Sequence, residues 1–380
     1  MTLKEELEIL RGEPIQVWEV DPMDIPCIET SDSELLCKHP AVSVHMITYN
    51  HEPYIREAIE GVMMQKTDFE FELVIGEDCS QDKTREICFE LQKKYPDKIR
   101  VLWWHENVSK LGGNGRRVSA HCRGEFIAIC EGDDYWIDPL KLQKQVDVMR
   151  RHPNVGLCFG DSLVTKMDGD EKKRWHSSSF TKGLMNGREF FKLHCFGDPR
   201  SKWSGSEWFI MTQTVMCRRS VLREAGQKYE IFKWGLALGD TTTWLALSSI
   251  SDVYYLADEL AVYRRLSSGA IGSRGARVHW DAYIVRFYYT VASHGASFND
   301  AMKRWGDELA MCHINELKYW SLGRQIRKAW QIAQDPILRR LWISSAAFPA
   351  WMLASIGLLN RLTASLPLRL IKVVHRRVLL

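Results

Sequence analysis

From Val42 onward, short apolar runs rich in β-branched residues alternate with stretches of helical periodicity. Strands that alternate with helices of this length predict a mostly parallel sheet with helices on both faces. The expected strands are VSVHMIT (42–48), FELVIGE (71–77), IRVLWW (99–104) and FIAICE (126–131), with helices near 53–65, 83–95 and 114–122. Ligands of such sheets bind at the carboxyl ends of the strands. The loops at 49–53, 77–82 and 131–136 are therefore candidate binding loops.

The pattern is less regular on either side of this region. Residues 1–40 contain four prolines and predict an irregular wrap. The expected later elements are a helix at 141–152, strands at 155–164 and 208–217, a polar excursion at 165–187, a helix at 238–250, and two short strands around a turn within 252–265. We expect four parts: the wrap (1–40), an α/β domain (41–275), a helical extension (276–335) and a basic, apolar tail (336–380).

Composition limits the class of protein. Of 380 residues, 45% are hydrophobic and 26% charged, which is typical of a globular chain and excludes disorder. The ten cysteines form no C-x-x-C pair, so they predict buried thiols in a reducing compartment rather than a zinc site. The N-terminal MTLKEELEILRGEP has no apolar run. We therefore expect a cytoplasmic protein.

The basic residues are concentrated at one end of the chain. Residues 321–380 contain ten Arg and Lys against a single acid, Asp335, although the whole chain carries only +3. An acidic body with a basic tail differs from the single broad basic face of a nucleic-acid-binding protein. The charge pattern predicts no nucleic-acid partner and a local electrostatic attachment through the C-terminus.

The fourth expected strand ends in Glu131-Gly132-Asp133-Asp134. Carboxylates after a buried strand are costly unless a cation binds them. Oxygen ligands suit Mg²⁺ or Mn²⁺, held by one or two carboxylates and a substrate diphosphate. The alternative is a solvated turn whose aspartate caps the next helix. We expect a metal site, because the acids follow a fully apolar strand.

The ends of the first two strands carry residues suited to a nucleoside. Thr48 ends the first strand, and Tyr49 after it can stack on a flat base. Glu52 is expected near a ribose or diphosphate. Asp78, after the second strand, can accept hydrogen bonds from a base or a ribose. Asp82 is expected to cap the following helix.

A glycine-rich segment, GGNGRR (112–117), precedes the third expected helix. Glycines let backbone N–H groups approach a phosphate, and the N-terminus of a helix favours an anion. Arg117 adds the capacity for a bidentate contact with phosphate. A purely structural turn is the alternative at this position.

Three segments in this order resemble glycosyltransferase family 2: VSVHMITYNHEPYIREAIEGVMMQ, IGEDCSQDKT and GEFIAICEGDDYWIDPLKLQKQ. The resemblance covers roughly 41–265. It implies that residues 41–275 form a GT-A catalytic domain with a Rossmann-like, mostly parallel sheet, and a nucleotide-sugar donor, foremost a UDP-sugar. In that family the aspartate matching Asp78 binds the base. The second acid of the D-x-D motif, here Asp133, reaches the metal and diphosphate. Glu131 replaces the commoner aspartate, which leaves open whether this position touches the ribose.

The resemblance also implies an inverting mechanism with a catalytic base at the start of a helix beneath the acceptor. Asp240 matches that position best, and it would take the proton of the attacking hydroxyl. A simple helix cap is the alternative. Asp161 and Asp258 lie away from the expected point of the pattern. Arg264 matches a basic residue near the diphosphate, against the alternative of a surface charge.

The tail contains twenty uncharged residues, 341–360, between Arg340 and Arg361. A helix of this length just spans a bilayer, but Pro349 interrupts it and both flanks are basic. We therefore expect an in-plane or re-entrant anchor on anionic lipid at the cytoplasmic face of the inner membrane. A buried helix or an oligomer interface is the alternative. A membrane anchor implies a membrane-associated acceptor, such as a lipid-linked saccharide or another glycan.

Two other functions fit parts of the pattern. A sugar nucleotidyltransferase is expected to carry a Gly- and Arg-rich phosphate loop directly after its first strand, where this chain has TYNHEPY. A non-catalytic, nucleotide-sugar-binding scaffold of the same fold is expected to have lost Asp133 or Asp240, and both are present. The residues therefore favour a metal-dependent transferase.

Overall fold

The computed structural model of the chain describes residues 2–11, 13–108, 111, 113–166, 171–175, 182–196, 210–236, 239–266, 276–294 and 300–301. These residues form two compact units. The sheet unit comprises the described parts of 17–235 and 242–272. The terminal unit comprises the described parts of 1–16, 236–241 and 273–380.

The helices and strands alternate along most of the described chain. The helices are α1 Leu3–Arg11, α2 Ile55–Met63, α3 Thr84–Lys94, α4 Asn114–His121, α5 Lys141–Arg151, α6 Gly187–Phe196, α7 Arg219–Lys228, α8 Gly239–Ile250 and α9 Ala276–His294. The strands are β1 Ile28–Thr30, β2 Val42–Thr48, β3 Phe71–Glu77, β4 Ile99–Trp103, β5 Phe126–Ile129, β6 Tyr135–Trp136, β7 Val155–Thr165, β8 Lys172–Trp175, β9 Gly183–Met185, β10 Met216–Arg218 and β11 Asp252–Tyr263.

All described strands belong to one mixed sheet. Its order is β1-β4-β3-β2-β5-β10-β7-β11-β6, with β8 paired to β7 and β9 paired to β11. The parallel part expected from the sequence is the run β4-β3-β2-β5. Beyond this run the sheet is mixed rather than mostly parallel, because β10 runs antiparallel to both β5 and β7, whereas β11 runs parallel to β7. Local periodicity shows where a strand lies but not which strands it pairs with, so the sequence does not indicate the antiparallel pairing of β10.

Three elements differ from the sequence-based expectation. The N-terminal segment is not irregular throughout, because α1 buries Leu7 and Leu10 and its Arg11 pairs with the buried Asp281 of α9 at 3.0 Å. The strand expected at 208–217 begins only at Met216 and follows a 3₁₀ turn. The two short strands expected within 252–265 are one strand, β11, with register shifts around Ala257, whose φ is +58°. A bulge in the pairing with β7 therefore replaces the expected turn.

The parallel strands are buried on both faces. Every residue of β3 is buried, and so are six of the seven residues of β2. Helices α2 and α5 contribute apolar side chains to the same core, among them Ile59, Val62, Val146 and Met149. Such continuous burial keeps the strands in register, so the loops at their carboxyl ends start from defined positions.

A buried ionic cluster joins the amino ends of these strands. Glu72, 1% exposed, accepts hydrogen bonds from Ser43 Oγ at 2.6 Å, Arg100 Nη1 at 3.2 Å and Arg123 Nε at 2.8 Å. Ser43, Glu72 and Arg100 are each the second residue of a strand, and Arg123 lies just before β5. The network therefore stabilises the register of β2, β3, β4 and β5 at the end opposite the binding loops.

No helix among the residues that the structure describes is long and apolar enough to cross a membrane. The anchor expected at 336–380, with its uncharged stretch at 341–360, lies outside the described residues, as does 302–335 of the expected helical extension.

We expect Glu72→Ala to lower the free energy of unfolding by about 3–5 kcal/mol, because it leaves two arginines without their buried counter-charge. Urea denaturation followed by circular dichroism measures this. The matched control is Glu90→Ala, which breaks the exposed pair between Glu90 and Arg56 and is expected to leave the midpoint nearly unchanged. Equal effects of the two substitutions would contradict a structural role for the buried cluster.

Candidate functional site

The loops after β2 and β3 bind each other through backbone N–H groups and short polar side chains. The Asn50 N–H donates to Ser80 Oγ at 3.0 Å, and the Gln81 N–H donates to Asn50 Oδ1 at 2.8 Å. Asn50 and Cys79 have φ values of +54° and +62°, in the left-handed region that most side chains avoid. Backbone strain of this kind persists where surrounding bonds hold it and is frequent at functional sites. The two loops therefore hold each other in one defined arrangement at the carboxyl ends of β2 and β3.

Glu52 and Asp82 also join these two loops. The Glu52 N–H donates to Asp82 Oδ2 at 3.0 Å, and the Lys83 N–H donates to Glu52 Oε2 at 3.1 Å. Asp82 Oδ1 also accepts the Thr84 N–H at 3.0 Å, at the first residue of α3. Asp82 thus bonds the start of α3 as the sequence predicts. Glu52 contacts the protein backbone through its carboxylate, so a ribose or diphosphate contact for it stays a prediction.

Asp78 connects the end of β2 with the segment after β4. Its N–H donates to the Thr48 carbonyl at 3.1 Å, and its Oδ1 accepts the Val108 N–H at 2.9 Å. Its own carbonyl accepts a hydrogen bond from Asn107 Nδ2 at 3.2 Å. Tyr49, by contrast, is 42% exposed. The structure therefore places a buried carboxylate and an exposed aromatic ring on the loops after adjacent parallel strands, β2 and β3.

The acidic turn after β5 packs directly against the end of β2. The Gly132 N–H donates to the Ile47 carbonyl at 2.9 Å. A Cβ at position 132 would lie 2.7 Å from Thr48 Oγ1 and 2.9 Å from His51 Nδ1, so only glycine fits without a shift. This close approach brings the acids after β5 next to the loop after β2.

Asp133 and Asp134 have different environments. The Asp133 carboxylate is 24% exposed, and its Oδ2 lies 4.0 Å from His51 Nε2. Asp134 is fully buried: its Oδ1 accepts the Arg264 N–H at 2.8 Å, and its Oδ2 has no hydrogen-bond partner. Burial, together with the neighbouring Asp133 and Glu131 carboxylates, raises the pKa of Asp134 well above its ordinary value. Asp133 is therefore the acid that solvent and ligands can reach.

His51 is a site residue that the sequence reasoning missed. Its Nδ1 is hydrogen-bonded to Thr48 Oγ1 at 3.2 Å, and its other nitrogen faces Asp133. Burial lowers the pKa of His51, against the opposing pull of the Asp133 and Asp82 carboxylates. The imidazole therefore favours its neutral form. The sequence signal for His51 was its position in the loop directly after the strand predicted at 42–48, which is β2.

Arg264 follows β11 and supports the acidic turn from the opposite side. Its Nη1 donates to the Asp133 carbonyl at 2.7 Å, and its Nη2 pairs with Glu57 of α2. Its guanidinium lies 4.3 Å from the ring centre of Tyr135, and the side chain is only 12% exposed. The guanidinium therefore holds the backbone of Asp133, whereas the sequence predicts a diphosphate contact.

Arg117 differs from its expected role in the same way. It is fully buried, and its guanidinium donates to the carbonyls of Pro26 and Glu77 at 3.1 Å each and to Asn114 Oδ1 at 2.6 Å. Arg117 is thus held by main-chain carbonyls inside the fold, and it supports the end of β3 through the Glu77 carbonyl. The sequence allows either a phosphate contact or a purely structural turn at the glycine-rich segment, and the inward direction of Arg117 fits the structural role.

A second layer of buried groups lies behind the acidic turn. Trp136 donates through Nε1 to the Gln213 carbonyl at 2.9 Å, and Lys141 Nζ lies 4.1 Å from the centre of the Trp136 ring. Lys141 donates to Gln145 Oε1 at 2.8 Å. Burial lowers the pKa of Lys141 to about 7, because the charged form loses its hydration. These contacts fix the segment YWIDPLKLQKQ directly after the acids.

Asp240 lies in the first turn of α8, within the terminal unit. Its carboxylate accepts the Thr241 N–H at 2.6 Å, and the residue is half-buried. A bond of this kind fits a helix-start role and leaves a base role open. The assignment of Asp240 as catalytic base stays a prediction.

No group of three or more His, Cys, Asp and Glu side chains within the described part of the chain has the arrangement of a complete metal site. The residues at the acidic turn nevertheless fit a cation that is shared with a substrate. Asp133 presents a partly exposed carboxylate, and the neighbouring Asp134 carries a buried oxygen without a partner. One or two carboxylates together with a diphosphate are the ligand set that Mg²⁺ and Mn²⁺ accept.

We expect Gly132→Ala to lower the free energy of unfolding by about 1–3 kcal/mol, because the added methyl group forces the acidic turn away from Thr48. Thermal unfolding of the purified chain measures this. The matched control is Gly226→Ala on α7, where nothing lies within 4 Å of an added Cβ. An unchanged midpoint for Gly132→Ala would contradict the tight packing of the turn.

Comparisons with known proteins agree with this geometry. The family model for glycosyl transferase family 2 matches residues 43–226. An uncharacterised Mycobacterium tuberculosis protein is 40% identical over 38% of this chain, and an uncharacterised glycosyltransferase of a Nostoc species is 34% identical over 59%. The chain spans 41% and 64% of the length of these two relatives, less than two thirds of either.

A solved structure shares the fold. Staphylococcus aureus TarS, residues 1–349 in complex with UDP-GlcNAc, superposes with a TM-score of 0.57 at 16% identity, covering 88% of this chain and 91% of that one. The matched segment contains the strand-end loops and the acidic turn described above. The domain formed by residues 43–226 is therefore a glycosyltransferase family 2 domain.

Proposed function

We propose that the chain is an inverting glycosyltransferase that moves a sugar from a nucleotide-sugar, foremost a UDP-sugar, to a hydroxyl of a membrane-associated acceptor. The observation that carries this proposal is the partly exposed Asp133 carboxylate, whose backbone is held by Gly132 packing on one side and by Arg264 on the other. An acid held this firmly, beside His51 in the loop after β2, suits the diphosphate side of a nucleotide-sugar site.

The donor nucleoside would bind at the ends of β2 and β3. Tyr49 offers an exposed ring for stacking on the base, and Asp78 offers a carboxylate fixed by the Val108 N–H. Thr48 and Glu52 line the same strand end, and Glu131 opens the acidic turn. TarS was solved with UDP and with UDP-GlcNAc, which supports a uridine donor in this fold.

A divalent cation, Mn²⁺ or Mg²⁺, would be held by Asp133 and the donor diphosphate, and when bound it offsets negative charge on the departing diphosphate. Asp134 would stay inside the protein, holding the Arg264 backbone and thereby the turn that carries Asp133. Arg264 and Arg117 would act as supports of the site rather than as direct phosphate ligands.

Asp240 is the proposed catalytic base. The acceptor hydroxyl would lose its proton to this carboxylate as its oxygen attacks the anomeric carbon. The bond from that carbon to the diphosphate oxygen breaks in the same displacement, so the configuration at the anomeric carbon inverts. A carboxylate at the first turn of α8 can serve as both a helix-start acceptor and a base.

The acceptor is proposed to be a lipid-linked saccharide or a related glycan at the cytoplasmic face of a membrane. The basic and apolar residues 336–380 support attachment to anionic lipid. A Bacillus subtilis relative, 31% identical over 33% of this chain, is provisionally assigned to teichuronic acid biosynthesis, which agrees with a role in surface polysaccharide assembly.

We expect Asp133→Asn to weaken metal-dependent binding of the nucleoside diphosphate at least about tenfold, because an amide is a poor ligand for a divalent cation. Calorimetric titration with UDP, GDP and dTDP, each with and without Mn²⁺, measures this and identifies the donor nucleotide. The matched control is Asp258→Asn, which removes a partly exposed carboxylate paired with Lys144. Equal affinity of the Asp133 variant and the unaltered chain in the presence of Mn²⁺ would exclude Asp133 from the metal site.

We expect Asp240→Asn to keep the donor affinity and the thermal midpoint but to lower transfer about 10²- to 10⁴-fold. The amide oxygen still accepts the Thr241 N–H, so the helix start is preserved while the base is lost. The measurement is incorporation of labelled sugar into a membrane lipid extract. Near-normal transfer would assign Asp240 to the helix start alone and move the base elsewhere.

A further inference from the structure

A cysteine and a histidine form a pair at the edge of the sheet, outside the proposed donor site. Cys27 lies directly before β1, and His121 is the last residue of α4. Cys27 Sγ and His121 Nε2 are 3.6 Å apart, and both residues are half-buried. The pair is therefore within hydrogen-bond distance and retains some access to solvent.

The hydrogen bonds of His121 define which nitrogen carries the proton. Its Nδ1 lies 2.8 Å from the Arg117 carbonyl, which can only accept a hydrogen bond. Nδ1 must therefore donate, and in the neutral ring Nε2 presents a lone pair to the sulfur. The thiol of Cys27 donates to this lone pair. A thiol, a base and a third group that orients the base are the arrangement of an activated nucleophile.

The groups around the pair make the His121 ring a suitable base for the thiol. The hydrogen bond to Cys27 raises the pKa of His121, against the effect of partial burial. The buried Arg117 interacts electrostatically with Cys27, and its Nη1 donates to the Pro26 carbonyl, one residue before the cysteine. Arg100 donates to the His121 carbonyl at 2.9 Å, and its charge is offset by Glu29 at 2.8 Å. His121 is therefore a base whose pKa is raised, held within hydrogen-bond distance of the Cys27 sulfur and oriented by the Arg117 carbonyl.

The other described thiols lack this environment. Burial raises the pKa of the thiol groups of Cys88, Cys122, Cys130, Cys158 and Cys217. Cys37 and Cys79 are half-buried like Cys27, but the Cys79 thiol donates to the His105 carbonyl, which cannot take up its proton. The described chain thus offers two internal references of similar exposure.

We propose that Cys27 is a covalent modification site that exchanges with small-molecule disulfides. His121 Nε2 takes the thiol proton as the Cys27 sulfur forms a bond to one sulfur of the disulfide, and the bond between the two original sulfurs breaks. The second sulfur leaves as a thiolate and takes the proton from the His121 imidazolium. Cys27 is oxidised to a mixed disulfide and one half of the reagent is reduced to a thiol, so electrons and protons balance. This reactivity is independent of the proposed transferase activity.

The test is a timed reaction of the full chain with glutathione disulfide at pH 6.5, quenched and mapped by peptide mass spectrometry. We expect Cys27 to form the mixed disulfide at least about tenfold faster than Cys37 and Cys79. His121→Gln, which keeps polarity but removes the base, should reduce the rate at Cys27 by about tenfold. Equal rates at the three cysteines, or an unchanged rate at Cys27 in the variant, would overturn the proposal.

Discussion

The packing of the Gly132 backbone against Thr48 and His51 is the contact on which the candidate site depends. Without a side chain at position 132, the acidic turn lies against β2 and its N–H pairs with the Ile47 carbonyl. Arg264 then holds the Asp133 carbonyl from the opposite side. Asp133 is therefore fixed from two directions while its carboxylate stays partly exposed, and a preorganised ligand of this kind loses little entropy on binding.

Buried carboxylates are compensated differently at the two ends of the parallel strands. At the amino ends, Glu72 is buried among Arg100, Arg123 and Ser43, so its charge is compensated within the protein. At the carboxyl ends, the buried Asp134 has one oxygen without a partner, and burial together with the neighbouring acids raises its pKa. Full compensation suits a structural role. Incomplete compensation beside an accessible acid suits a site that is completed by a bound cation and diphosphate.

The sequence predicts the parallel core closely. The predicted bounds of β2 and β3 coincide with the structure, and α2 through α5 begin and end within two residues of their predicted limits. Long apolar runs bounded by polar turns carry this information locally. Two features were not predictable from the sequence: the bulge in β11, and the start of β10 at Met216 rather than at 208. Both depend on pairing with β7, which is distant in sequence. The roles of Arg117 and Arg264 depend on carbonyls that are far away in sequence.

Local periodicity and residue type were enough to predict the order of strands and helices in the core, the acidic turn after the fourth predicted strand, and the resemblance to glycosyltransferase family 2. The folded chain was needed to show that Arg117 turns inward, that Arg264 supports Asp133, that His51 faces the same acid, and that Cys27 lies against His121. These outcomes depend on which backbone carbonyls and side chains the folded sheet brings within hydrogen-bond distance. That proximity is a property of the packed chain rather than of any segment.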